Sequence, residues 1–282
     1  MERVCDLHTH SVFSDGTWTP EHLVEEAERI GLSAIALTDH NTVAGLPEFL
    51  KAAEEKNLEA VPGVEFSTEY LGMDIHMVAH YLMPSVFPQV TYRMEEGKKK
   101  KDASNRYLIE NLKKIGFSMD YDEMLSATPS GQVNRAHIAA VMVKNGWVST
   151  RQEAFNRYLE PKCGFYEPPR RPGIFEMAEQ IRIWGGVPIL AHPFLKLSEA
   201  QLRVLLPQAK EAGLVGMETE YVSFDGETTA LAKSLAEEYG LLESGGSDFH
   251  GDNKPGIFLG VGRGNLRVPY AFLEKIRSFA VL

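Results

Sequence analysis

Apolar and polar positions along the chain follow two rhythms. Short runs rich in β-branched and apolar residues predict strands over 3–9, 34–38, 60–68, 75–82, 187–191, 214–220 and 241–245. Between them, apolar residues recur at helical spacing. Thr19 reads as an N-cap and Pro20 as the first helical residue of a helix that stops near Gly31. Further helices are expected near 43–56, 174–184, 198–212 and 227–239, with a last one near 270–279 after Pro269. Strands and helices that alternate with short connections imply parallel βα units, so the class is α/β. Seven such units suit a barrel better than an open sheet.

The rhythm breaks between about 88 and 172. That stretch reads as all-helical, with helices near 92–115, 120–127, 134–145 and 149–159, and Pro168, Pro169 and Pro172 punctuate the return. It is expected to be a helical insertion domain over 89–171, set into a barrel domain formed by 1–88 and 172–282. Charge supports the division. Residues 89–165 hold 13 Lys/Arg against nine Asp/Glu, whereas the rest holds 16 against 30. The run Lys98–Lys101 is the densest part of the basic stretch, which suits either a solvated helix face or a surface that meets an anionic substrate.

Composition removes several classes. The chain is 44% apolar with a formal net charge of −10, which is too apolar for a disordered chain and too acidic for binding nucleic acid by bulk charge. It has no run of about 18 apolar residues, so no membrane partner is expected. The first ten residues, MERVCDLHTH, lack the apolar stretch of a secretory signal. Cys5 and Cys163 form no CxxC pair and no disulfide framework. A cytoplasmic globular protein is the expectation.

The chemistry lies in the histidines. His8 and His10 sit two apart at the end of the first strand, where side chains i and i+2 share a face about 6.5 Å apart. Asp15 follows in a polar turn. Asp39 and His40 end the second strand, Glu65 lies near the end of the third, and His76 is on the next. His192 ends the fifth strand, and Asp248 and His250 end the seventh. Six histidines and the carboxylates of Asp15, Glu65 and Asp248 thus gather at or near strand ends, where α/β barrels keep their sites. Such donors suit manganese first, with iron or zinc also accommodated. Nine exceed the needs of one ion, so two or three divalent ions sharing carboxylates are expected. His22 reads as a surface residue and His80 as structural or as support behind the site. Arg135 and His137, at the start of an insertion helix, are either a surface cap or a phosphate-binding pair. No Walker A loop and no G-x-S-x-G elbow occurs.

The blocks DLHTHSVFSDGTWTP, IALTDHNTVAG, VPGVEFST, DIHMVAHYL, ILAHPF and GSDFHG, in this order, resemble the PHP (polymerase and histidinol phosphatase) family over nearly the whole chain. The resemblance implies a distorted (β/α)7 barrel with metals at the strand C-termini. It implies one ion near His8, His10, Glu65 and Asp248, a second at Glu65, His76 and His192, and a third at Asp15, His40 and His250. Asp248, His192 and His250 would be the catalytic members. Within the family the chain is similar to stand-alone bacterial phosphoesterases with a helical insertion. Some of these hydrolyse 3′,5′-nucleotide bisphosphates, and related members trim RNA from the 5′ end. N-R-A-H-I (134–138) and A-F-N-R-Y-L (154–159) carry that likeness, and it implies phosphate binding by Arg135 and His137. The relatives' Gly-Lys-rich turn reads Glu-Pro-Lys-Cys-Gly here, so Lys162 stands in for a substrate-binding lysine.

The expected function is metal-dependent phosphoester hydrolysis, with a hydroxide generated on the ions attacking phosphorus. The expected substrate is a 3′,5′-nucleotide bisphosphate such as adenosine 3′,5′-bisphosphate, or a short 5′-phosphorylated single-stranded RNA or DNA. Two alternatives use the same residues. One is a phosphatase of histidinol phosphate or another small monoester, and the other is a non-catalytic metal-binding module.

Overall fold

The computed structural model describes residues 3–128 and 133–281. In chain order its elements are β1 (Val4–Asp6), α1 (Pro20–Arg29), β2 (Ala34–Leu37), α2 (Leu46–Ala53), β3 (Glu59–Tyr70) and β4 (Met73–His80). Then come α3 (Phe87–Lys114), α4 (Tyr121–Ser126), α5 (Arg135–Lys144) and α6 (Arg151–Ala154), which runs into a π-turn at Phe155–Leu159. The chain continues through α7 (Ile174–Ile183), β5 (Val187–Leu190), α8 (Glu199–Glu211), β6 (Gly216–Tyr221), α9 (Gly226–Tyr239), β7 (Leu242–Gly246), β8 (Val268–Pro269) and α10 (Tyr270–Arg277). Two compact units result. One runs to Thr91 and resumes at Pro172, and the other is Tyr92–Arg171. No helix among the described residues is long and apolar enough to cross a membrane.

The first unit is a sheet in the order β7-β6-β5-β4-β3-β2-β1-β8. It curls until its ends nearly meet. Beyond β1, Leu7 N donates to Gly245 O (3.2 Å), Asp248 N to His8 O (2.9 Å) and His10 N to Phe249 O (2.9 Å). The seam is tight because Gly246 has no side chain: a Cβ there would lie 2.4 Å from His8 Cβ. A buried carboxylate reinforces the same seam. Asp6 accepts from Ser247 N (2.9 Å), Ser247 Oγ (2.5 Å) and Gly260 N (2.8 Å). Inward-facing Cys5, Leu7, Ala34, Ala36, Val61, Val78, Val187 and Ile189 form one apolar cluster, which α10 joins through Leu273 and Ile276.

Two features depart from seven parallel units. An eighth strand, β8, pairs antiparallel with β1, where the sequence marks only Pro269 as the lead into a helix. β4 runs antiparallel to both β3 and β5. Only Leu71 and Gly72, both at positive φ, join β3 to β4. A two-residue turn of that shape can link only an antiparallel pair, since a parallel crossover needs a dozen residues or more. The β1–β2, β2–β3, β5–β6 and β6–β7 pairs are parallel as expected.

The helices follow their sequence signals. Thr19 Oγ1 accepts from His22 N (3.2 Å), Pro20 opens α1, and Leu23, Val24 and Ala27 form its buried stripe. The second unit has its own core, which includes Leu108, Leu112, Ile138, Met142, Ala154 and Leu159.

His80 is fully buried and donates from Nε2 to Leu7 O (2.9 Å). Burial pushes its pKa down to about 4 from an ordinary 6.5. Between those values an unfolded chain takes up a proton that the folded chain refuses, so stability falls as pH drops from 6.5 to 4 and is unaffected above. A His80→Gln variant keeps a donor for Leu7 O and cannot titrate. Its melting temperature is expected to fall less than that of the wild type over this window. Parallel pH–melting curves would refute the assignment.

Candidate metal centre

Strand geometry brings the nine side chains together. His8 and His10 follow β1 on an extended segment and are buried, with their Nε2 atoms 3.1 Å apart. His40 follows β2, and its backbone bridges to Glu65 on β3. His192 follows β5, and Asp248 and His250 follow β7. All but Glu65 lie just past strand ends; Glu65 sits inside β3, where the pairing with the β2 segment stops and the strand runs on beside β4, not near the strand's end as its sequence suggested. His76 arrives differently: it is the fourth residue of β4 and pairs with Ser67. The reversed strand presents its first half to the rim that the other strands reach with their ends. Asp15 sits on the loop after β1. Asp39 braces that loop, accepting from Ser11 N (2.7 Å), Ser11 Oγ (2.6 Å) and Ser14 Oγ (2.6 Å).

Glu65 is the hub. It is 1% exposed, and five histidines face it. Its Oε2 lies 3.2 Å from His8 Nε2, 3.2 Å from His10 Nε2 and 3.0 Å from His40 Nδ1. Its Oε1 lies 2.8 Å from both His76 Nδ1 and His192 Nε2. Asp248 Oδ1 faces His10 Nε2 (3.2 Å), His250 Nδ1 (3.4 Å) and His8 Nε2 (3.6 Å). Its other oxygen accepts from Lys254 Nζ (2.6 Å) and Tyr221 Oη (2.8 Å). Asp15 Oδ1 lies 3.2 Å from His250 Nε2, and Oδ2 lies 3.8 Å from His40 Nε2. Both His192 (φ 28°) and Asp248 (φ 51°) adopt left-handed backbone, which is unfavourable for residues with a Cβ and typical of functional sites.

The electrostatics follow from this crowding. Burial opposes charge on Glu65, but His8, His10, His192 and His76 hold its pKa well below the ordinary value. Asp248 behaves likewise, against burial, through His8 and His10. Burial also disfavours the His10 cation, yet Asp248 and Glu65 raise its pKa to about 9. His40 goes the other way, pushed down to about 4 chiefly by burial.

Among the described residues three donor groups stand out, with ligand atoms mutually within 4.8 Å: His8, His10, Glu65 and Asp248; His10, Asp15, His40 and His250; and His40, Glu65 and His76. They could hold metal ions. The first matches the set that family resemblance implied. The second adds His10 to the third implied set. In the last, His40 takes the place expected for His192, which instead enters through Glu65 Oε1. Glu65 Oε2 and His40 Nδ1 lie close to one another, yet neither they nor buried His10 Nδ1 make a hydrogen bond of acceptable geometry. Buried polar atoms are seldom left so, and a cation among them would satisfy them. A cavity of about 300 Å³ opens against His40, Glu65, His76, His192 and Asp248, with Lys254 also on its wall.

The sequence reading did not single out several supporting groups. Glu218 on β6 accepts from His8 Nδ1 (2.7 Å) and from His192 N (2.6 Å). Alternation alone would put Glu218 and Glu220 on one face. A bulge between them separates the two, and Glu220 instead meets Lys233 (2.6 Å). Tyr221 and Lys254 had no motif to mark them.

In the second unit, Arg135 donates to Leu159 O (3.0 Å), lies 3.6 Å from Glu160 and stacks near Tyr166. His137 belongs to the cap of α5: its Nδ1 accepts from Asn134 N (3.2 Å), and Asn134 Oδ1 accepts from His137 N (3.1 Å). Lys162 is exposed in a 3-10 turn, Pro161–Cys163.

Comparison with known proteins agrees with this architecture. Residues 6–160 match the PHP domain family. The chain is similar to the 5′-3′ exoribonuclease of Haemophilus influenzae, 34% identical over 251 residues, covering 89% of this chain and 91% of that protein. It is also similar to the 3′,5′-nucleoside bisphosphate phosphatase of Chromobacterium violaceum, 26% identical over 257 residues and 90% of each chain. Among solved structures it superposes on a protein from Bifidobacterium adolescentis described as a metal-dependent phosphoesterase. The TM-score is 0.71 at 29% identity, covering 99% of this chain and 97% of the other. By fold and by kinship, this chain belongs to the PHP domain family and is a metal-dependent phosphoesterase.

Proposed function

We propose that the chain hydrolyses phosphate esters of nucleotides at the Glu65 centre, holding two or three divalent ions, with manganese favoured. The observation that carries this reading is the double use of Glu65, one oxygen toward His8, His10 and His40 and the other toward His76 and His192. A carboxylate so placed suits adjacent ions better than one. His8, His10, Glu65 and Asp248 would hold one ion. Glu65, His76 and His192 would hold a second, with His40 beside it, and Asp15, His40 and His250 a third. When bound, such ions neutralise phosphoryl oxygens and bring the pKa of a water near 7, which supplies a nucleophile without a serine or cysteine.

The protein's own groups prepare the site. Tyr221 and Lys254 saturate one oxygen of Asp248 and leave the other turned toward His8 and His10. His250 donates from Nδ1 to the Asp248 carbonyl (2.8 Å), which leaves Nε2 directed at Asp15. Asp248, His192 and His250 would be the catalytic members in this reading, through the ions they would hold. Arg135 and His137 serve as phosphate ligands on the second unit. Because His137 Nδ1 accepts a backbone proton, its neutral ring carries a proton on Nε2 that can be donated to an anion. Lys162 is a third, solvent-exposed donor for the same task.

The two relatives' names refer to nucleotide phosphoesters, which favours adenosine 3′,5′-bisphosphate or a short 5′-phosphorylated oligonucleotide as substrate. Two free cysteines, one buried, suit a reducing, cytoplasmic setting.

Protein incubated with manganese is expected to release phosphate from adenosine 3′,5′-bisphosphate, or mononucleotide from a 5′-phosphorylated oligonucleotide. A chelator should abolish this and added manganese restore it. A folded, metal-loaded protein inert toward both compounds would overturn the reading. Glu65→Ala is expected to lose more than one ion per chain by elemental analysis and to lower kcat/KM by at least about 10²-fold, whereas unchanged metal content would contradict the hub role. Arg135→Ala should raise KM for the bisphosphate several-fold with metal content intact. An unaltered KM would remove Arg135 from phosphate binding.

A further inference from the structure

Glu218 is 1% exposed at the centre of β6, and each of its carboxylate oxygens is committed to one partner. Oε1 accepts from His8 Nδ1 (2.7 Å) and Oε2 accepts from the backbone N–H of His192 (2.6 Å). These two histidines face different oxygens of Glu65, His8 at Oε2 and His192 at Oε1. Two buried carboxylates therefore grip the same pair of histidines, Glu65 at the imidazole Nε2 atoms and Glu218 at the opposite ends. His192 needs such a grip. Its φ of 28° and ψ of 56° lie outside the regions comfortable for a residue with a Cβ, and the bond to Glu218 helps hold that backbone in place.

We propose that Glu218 is a positioning residue that ties the ion position of His8 to the ion position of His192. It fixes His8 as the Nδ1–H tautomer, so the Nε2 lone pair is left for the ion that Glu65 Oε2 would share. It also holds the His192 turn that aims the imidazole at Glu65 Oε1. This inference rests on the ion positions proposed above.

Chemistry makes the role specific to a carboxylate. Both partners are N–H donors, and a carboxylate offers an acceptor to each. A glutamine of the same shape offers one acceptor and one amide NH₂. Its NH₂ would meet a second donor, so either the His192 turn loses its acceptor or His8 shifts tautomer. Either defect should spread, because the two positions share Glu65.

The test is a zinc titration of metal-free, full-length protein by calorimetry with elemental analysis, alongside histidine ¹⁵N NMR spectra of the zinc-loaded wild type. The wild type is expected to take up at least two zinc ions per chain and to show His8 protonated at Nδ1 with Nε2 bound to metal. Glu218→Gln is expected to keep the wild-type circular dichroism spectrum while both positions weaken by about 10- to 100-fold. Zinc binding by the variant that equals the wild type, or weakening confined to one position, would overturn the proposal. So would a wild-type His8 protonated at Nε2, and that spectrum decides the matter even if the variant does not fold. Wild-type protein that binds no zinc would bring down the ion positions and this inference together. A normal wild type with an unaffected variant would bring down this inference alone.

Discussion

A carboxylate withdrawn from water is costly unless opposite charge or hydrogen-bond donors surround it. Glu65 meets that condition with five histidines, and much of the barrel is arranged to deliver them. The same packing leaves Glu65 Oε2, His10 Nδ1 and His40 Nδ1 in close charge contact but without hydrogen bonds. A cluster with buried nitrogens and oxygens that lack hydrogen bonds is an incomplete polar network by itself, and divalent cations would complete it. The constraint runs from chemistry to fold: the centre requires strands that end together and a sheet that closes.

Closure is achieved at the seam between the segments that follow β1 and β7. Gly246 allows the backbone to approach His8, and Asp6 collects three donors from the far side of the seam. The reversed β4 matters equally. A parallel fourth strand would carry His76 at the opposite rim, whereas the two-residue turn at Leu71 and Gly72 folds the strand back and sets His76 beside Glu65. Behind the donors, Glu218, Asp39, Tyr221 and Lys254 hold rings, loops and carboxylates in orientation, the kind of outer support that metal sites rely on.

Much of this was legible in the sequence, for reasons that can be named. The parallel strands announce themselves as apolar runs because both of their faces are covered. The nine donor residues stand out because imidazoles and carboxylates recur just past those runs. Strand direction was not legible at β4, since periodicity is blind to polarity of pairing, although the shortness of the link from 68 to 75 held the information. The two-residue β8 is too short to carry a pattern. Glu218 was hidden by the bulge beside it, which breaks the alternation that would otherwise define its face. His137 shows the reverse situation. Its place in the α5 cap follows from Asn134 three residues earlier, a local signal the sequence does contain.

The most direct test of the account is anomalous diffraction from crystals of the protein grown with manganese. The account predicts at least two anomalous peaks, one within bonding distance of Glu65 Oε2 and His8 Nε2 and another within bonding distance of Glu65 Oε1. A single peak remote from Glu65, or a well-ordered Glu65 with no peak at either oxygen, would contradict it.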